Sequence, residues 1–154
     1  MSRRDEIRMS SEEVREFLAR SRTIILTSIG RDGVPHPMPM FYAVEDDGSI
    51  VMTTYTKSQK IQNLRRDPRV SLLVEDGTAY SELRGIVFYG NAELIADTGD
   101  VMRLLAAVAS HQGEPVDASD SALAGRHRMA AKRTGIRVRP QRVVSWDHRK
   151  LVGA

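Results

Sequence analysis

The sequence contains no cysteine. That excludes zinc–thiolate sites, iron–sulfur clusters and cysteine nucleophiles, and it leaves no disulfide pattern of the kind small secreted domains carry. No run approaches the roughly 18 apolar residues of a membrane span. Residues 1–9 are charged and precede no apolar segment, which speaks against a signal peptide. These absences predict a cytoplasmic protein with no membrane partner. Also missing are G-x-G-x-x-G, the P-loop, G-x-S-x-G and H-E-x-x-H. The four histidines, His36, His111, His127 and His148, show no metal-ligand spacing, so no metal is expected.

What is present fits one domain over residues 1–154, long enough to bury a core without staples. The net charge is +3, but it is segregated. Residues 57–69 hold five basic side chains against one acidic, residues 75–120 hold nine acidic against two basic, and residues 126–150 hold nine basic against one acidic. Two anion-attracting surfaces are one reading, and solvated faces are the other. No nucleic-acid recognition motif accompanies the charge, so no nucleic-acid partner is expected.

Ser10 with Glu13 forms a capping box, Met9 and Val14 are placed for a hydrophobic staple, and Val14, Phe17 and Leu18 make a helical stripe. Residues 23–29 (TIILTSI) read as a buried strand and 30–33 as a turn. In residues 34–44 (VPHPMPMFYAV), Pro35, Pro37 and Pro39 fall on alternate positions. A strand so built lacks three N–H donors along one edge, which cannot pair normally. That edge belongs at a sheet opening, against a ligand or another subunit, unless the stretch is merely a rigid extended segment. Strands follow at 50–54, 70–74 and 83–95 (bent near Gly85 and Gly90), and 135–146 reads as the final strands with Pro140 as a break. Helices are predicted from Thr56, with Gln59 at the capping-box position, from Asp97 or Thr98, and over 122–133. With no βαβ alternation, the order predicts a mainly β chain with α (α+β), its meander closed into a small barrel with flanking helices.

The chemistry concentrates at Thr53-Thr54-Tyr55-Thr56-Lys57-Ser58-Gln59-Lys60, followed by Asn63. An apolar strand gives way to hydroxyls and then to a helix N-terminus with two lysines, where free N–H groups and the helix dipole favour a phosphate. Lys57 and Lys60, three apart, would flank one point. A well-capped surface helix is the alternative. Tyr42, Tyr55 and His36 are candidate proton donors, and no dedicated acid or base is evident.

The order strand, D-G turn, G-V-P-H-P-M-P-M-F-Y, D-D-G-S-I-V-M-T-T, then K-x-x-N-L-R-R-D-P-R (Lys60 to Arg69), G-N-A-E-L and P-Q-R-V-V-S-W-D resembles the pyridoxamine 5'-phosphate oxidase-like split-barrel superfamily. Within it the Lys60 to Arg69 run resembles the actinobacterial deazaflavin branch. The resemblance implies a split β-barrel and a homodimer with cofactor sites between subunits. It implies a phosphate at Thr53, Thr54, Lys57, Ser58 and Lys60 with Asn63 nearby, and a ring over His36, Pro37 and Met38. Trp146 either reaches the site or fills the core. Ser58 stands where a basic residue is common. The expected activity is hydride transfer between coenzyme F420 and an unidentified small organic substrate. The alternatives are an FMN-dependent oxidase or reductase, or a non-catalytic cofactor-binding protein.

Overall fold

The computed structural model describes residues 2–151. The N-terminal residue and residues 152–154, part of the predicted single domain, lie outside them. Eight strands and five α-helices follow in the order α1 (Arg3–Glu6), α2 (Ser11–Arg20), β1 (Thr23–Ile29), β2 (Pro35–Phe41), β3 (Ala43–Val44), β4 (Ile50–Tyr55), α3 (Gln59–Arg66), β5 (Arg69–Asp76), β6 (Arg84–Ile95), α4 (Thr98–His111), α5 (Asp120–Ala130), β7 (Arg133–Val138) and β8 (Arg142–Asp147).

The strands form one antiparallel sheet in the order β2-β1-β5-β6-β7-β4-β3, with β8 also on β6. The long β6 holds it together. One edge pairs β5, and the other pairs β8 over Arg84 to Tyr89 and then β7 from Ala92 on. At the changeover, a Cβ on Gly90 would lie 2.8 Å from the Arg139 carbonyl oxygen, so only glycine lets the β7–β8 connection cross so closely. The curled sheet with helices on its flanks is the predicted α+β split barrel.

Alternation along the strands sorts the side chains into two cores. Ile24 and Leu26 of β1, Ile50 and Met52 of β4, Leu72 of β5 and Ile136 of β7 point inward, where α2 closes the barrel with Phe17 and Leu18. Ser10 caps α2 in the predicted box with Glu13. Val51 of β4 and Ile95 of β6 point outward and are covered by Val101 and Leu104 of α4 and Ala130 of α5. Each buried aliphatic side chain contributes about 1.5–3 kcal/mol.

The predicted proline-bearing strand is the sheet edge. β2 pairs β1 along its whole length, Pro35 to Phe41 against Ile29 to Thr23, and nothing among the described residues pairs its other edge. Pairing with β1 uses the donors of the alternate residues, which leaves the proline nitrogens along the open edge. The six or so strands predicted become eight: Tyr42 separates β3 from β2, and the predicted break at Pro140 separates β7 from β8.

Candidate functional site

The helix after β4 starts later than its sequence predicts. Thr56 does not cap it. The Thr56 N–H donates to the Lys132 carbonyl at 3.0 Å, and its hydroxyl pairs with that of Thr134 at 2.9 Å. The β4–β7 ladder captures Thr56, a short turn follows, and Ser58 becomes the N-cap of α3, so Gln59 is no capping-box residue. Lys57 consequently lies in the turn, exposed, and does not form the expected helical pair with Lys60.

Lys60 is buried, not on an exposed first turn. Its Nζ donates to Thr54 Oγ1 at 3.0 Å. Burial, and secondarily the charge of Arg133, hold its pKa below the ordinary lysine value. No ion pair holds this ammonium among the described residues, so a buried cation stands beside a hydroxyl without an acid to neutralise it. Close by, the Ser58 Oγ is buried without a hydrogen-bond partner, although Ser58 is a helix N-cap. A cation without a counter-ion, an unused hydroxyl and the free N–H groups of α3 fit a phosphate. Thr54 and Lys60 meet, but Thr53 faces the opposite side of the sheet from Thr54, as successive strand residues must.

The Asn63 side chain makes three hydrogen bonds. Its Nδ2 donates to Ser28 Oγ at 3.0 Å, and its Oδ1 accepts from Gln59 Nε2 at 2.9 Å and from Arg66 at 3.3 Å. These bonds make it a residue that pins α3 to β1. His36 is the β2 partner of Ser28, and it lines an open cleft of about 540 Å³ with Asn63, Gln59 and Arg31. The His36 Nδ1 is buried and unpartnered. Met38 shares its face, while Pro37 points to the other side. Arg31 and Gln59 also line the adjoining cleft of Gln62, Arg65 and Arg66, so a basic surface continues from His36 along α3.

Two candidates fall elsewhere. Trp146 packs its indole over Gly85, where a Cβ would meet the ring at 2.4 Å, and it lines neither cleft. It is half-buried and belongs to neither buried core cluster. Tyr42 is wholly buried, and its hydroxyl donates to the Leu18 carbonyl at 2.7 Å. Burial pushes its pKa up, and Tyr42 lines neither cleft. Tyr55 is exposed and lies beneath the Arg133 guanidinium, 4.5 Å from ring centroid to carbon. Arg133 is the residue the sequence did not single out. It is one of nine basic residues in 126–150, and only the pairing of β7 with β4 brings it opposite Tyr55.

The sheet order and its flanking helices define a split barrel. The family model for pyridoxamine 5'-phosphate oxidase matches residues 10–147, and the chain belongs to that family. A conserved hypothetical protein, Rv2991, from Mycobacterium tuberculosis is 43% identical, with all of this chain and 94% of that one covered and a TM-score of 0.88. An F420 reductase is 22% identical over 83% of this chain and 93% of its own, with a TM-score of 0.64. A FAD-binding protein from Mesorhizobium loti is 20% identical over 89% and 94%, also at 0.64. The last two likenesses show the fold alone. No curated protein matches. The family includes oxidoreductases, and its fold holds flavin-type cofactors. No helix among the described residues is long and apolar enough to cross a membrane.

Proposed function

We propose that this chain is a cytoplasmic deazaflavin-dependent oxidoreductase that passes a hydride between coenzyme F420 and a small organic substrate, at a site completed by a second copy of the chain. The observation that carries the reading is the buried Lys60 ammonium, bonded to Thr54 and facing no carboxylate, beside the unused Ser58 hydroxyl. These three residues would hold the phosphate, with Lys57 and Thr53 at the margins. His36, Pro37 and Met38 of the open-edged β2 would lie under the ring. When bound, the deazaflavin supplies the hydride chemistry. The chain's part is to fix the phosphate, to orient the ring on a strand too rigid to yield, and to keep water off its apolar side. No side chain is placed as a dedicated acid or base, in keeping with chemistry that the cofactor carries.

The preference for F420 rests on charge. Its tail is long and polyanionic, and the surface along Arg31, Arg65 and Arg66 continues from the His36 cleft. FMN, with one phosphate, needs only the Lys60 set and is the second reading. Fluorescence titration of the apoprotein with each cofactor at low and high salt separates them. Attraction between exposed charges is screened within about 8 Å at physiological ionic strength. F420 affinity should therefore fall more steeply with salt than FMN affinity. If FMN binds tighter at every ionic strength, the FMN reading replaces this one.

A further inference from the structure

The segment between β6 and β7 builds a second cleft. The α4–α5 hairpin stands against the outward face of β4 and leaves a cavity of about 660 Å³ between its helices and the C-terminal ends of β2 and β4. That volume lies within the range of small-molecule sites. The walls are apolar: Phe41 from β2, Leu105 and Val108 from α4, and Met129 from α5. Phe41 and Met129 remain 58% and 49% exposed, which is a costly way to leave large side chains unless something covers them.

One end of the cleft is cationic. Arg133 lines it, with its guanidinium carbon 4.5 Å from the Tyr55 ring centroid. Its Nε is buried without a hydrogen-bond partner, and no ion pair holds it among the described residues. Arg126 stands on the same wall and donates to the Asp117 carbonyl at 3.1 Å. Glu114 is the one acid lining the cleft. A guanidinium fixed on an aromatic ring keeps its terminal nitrogens free and in plane, the geometry that receives a carboxylate or similar anion through two parallel bonds.

We propose that this cleft is the substrate site, and that the substrate is an apolar, ring-sized molecule carrying one anionic group, its body against Phe41 and Met129 and its charge on Arg133. The proposal rests on the oxidoreductase reading, because Thr54, which accepts from Lys60, also lines this cleft. It gives the 113–134 segment a purpose: α5 buries only Ala130 fully and otherwise serves as a wall.

A pair of dyes tests it. 8-Anilinonaphthalene-1-sulfonate and N-phenyl-1-naphthylamine share an aromatic body, and only the first carries an anion. The sulfonate dye should bind the wild-type protein at least tenfold more tightly. Arg133→Gln should remove that advantage and leave the neutral dye within twofold. Met129→Glu, at an exposed position that folding does not need, should weaken both dyes tenfold or more while FMN binding stays within twofold. Equal binding of the two dyes, an unchanged sulfonate affinity in Arg133→Gln, or displacement of either dye by FMN would overturn the proposal. So would a dimer that binds neither dye, since a second copy would then cover the cleft. Lys60→Met keeps the two readings apart. Unchanged FMN affinity in that variant defeats the phosphate reading, whatever the dyes do.

Discussion

Replacing Lys60 by methionine is the sharpest probe of the phosphate set. The change keeps most of the volume and removes the charge. Two stability effects then oppose each other. Thr54, itself buried, loses its 3.0 Å donor, and an unsatisfied buried hydroxyl costs about 1–3 kcal/mol. The variant also no longer buries a cation, which the depressed pKa marks as unfavourable. The net change should be small, on the order of 1 kcal/mol, or about 2–4 °C in melting temperature for a chain of this size. Binding has no such offset. A charge-assisted bond to phosphate is worth about 1.5–3 kcal/mol, which at roughly 1.4 kcal/mol per tenfold is about a 10- to 150-fold loss in affinity. Calorimetric titration with FMN and with F420 should show this loss for both, because both carry the phosphate. The pH dependence supplies a second check. The folded protein holds the Lys60 proton less tightly than the unfolded chain, whose value is near 10.5. Over the interval just below 10.5 the unfolded state binds more protons, so stability contributed by this group rises with pH. Lys60→Met should lack that rise. An unchanged dissociation constant together with an unchanged melting temperature would refute the phosphate role.

Gly85→Ala should destabilise the fold by about 1–3 kcal/mol, because the new Cβ must displace the Trp146 indole from 2.4 Å, and urea unfolding with a shifted tryptophan emission reads it. Asp147→Asn should cost about 1.5–3 kcal/mol at neutral pH, since the bonds from Arg149, one at 2.8 Å, hold a carboxylate that is almost wholly buried. Those bonds keep the Asp147 pKa below 3.8, so its contribution is present above that value and fades as pH falls through the folded one; variant and wild type should converge in acid melts. Light scattering at micromolar concentration should give a dimer of the 17.2 kDa chain, and a monomer would remove the shared site.

Where an element is specified by its own residues, the sequence was enough. β1 runs Thr23–Ile29 as its β-branched pattern predicts, and α2 carries the capping box that Ser10 and Glu13 announce. The open edge of β2 was legible too, because a proline lacks its donor whatever surrounds it. Where a distant partner decides, local reading failed. Thr56 has the chemistry of a helix cap, yet Thr134, 78 residues away, claims its hydroxyl. Asn63 lines the His36 cleft, and the bonds of its amide to Ser28, Gln59 and Arg66 are tertiary facts that its own segment does not announce. The burial of Lys60 is set by β4, through Thr54, and not by its own helix. Arg133 had no local signal at all, and the register that sets it opposite Tyr55 is a tertiary fact.

That register has a consequence for how the two clefts relate. Along β4, Ile50, Met52 and Thr54 face the barrel, while Val51, Thr53 and Tyr55 face the α4–α5 hairpin. Lys60 reaches Thr54 on the inner side, and Arg133 covers Tyr55 on the outer side. Two cations thus flank a single strand, close enough for the charge of Arg133 to depress the Lys60 pKa. Neither has an acid partner among the described residues, so each strains the other until an anion arrives. The proposed phosphate on the inner face would relieve that repulsion and make the outer face less attractive to the proposed second anion. The two ligands would then oppose each other electrostatically across one strand. By linkage each anion would weaken the other's binding by the same factor, so titrating the sulfonate dye into protein with and without FMN should show the same loss as the reverse titration.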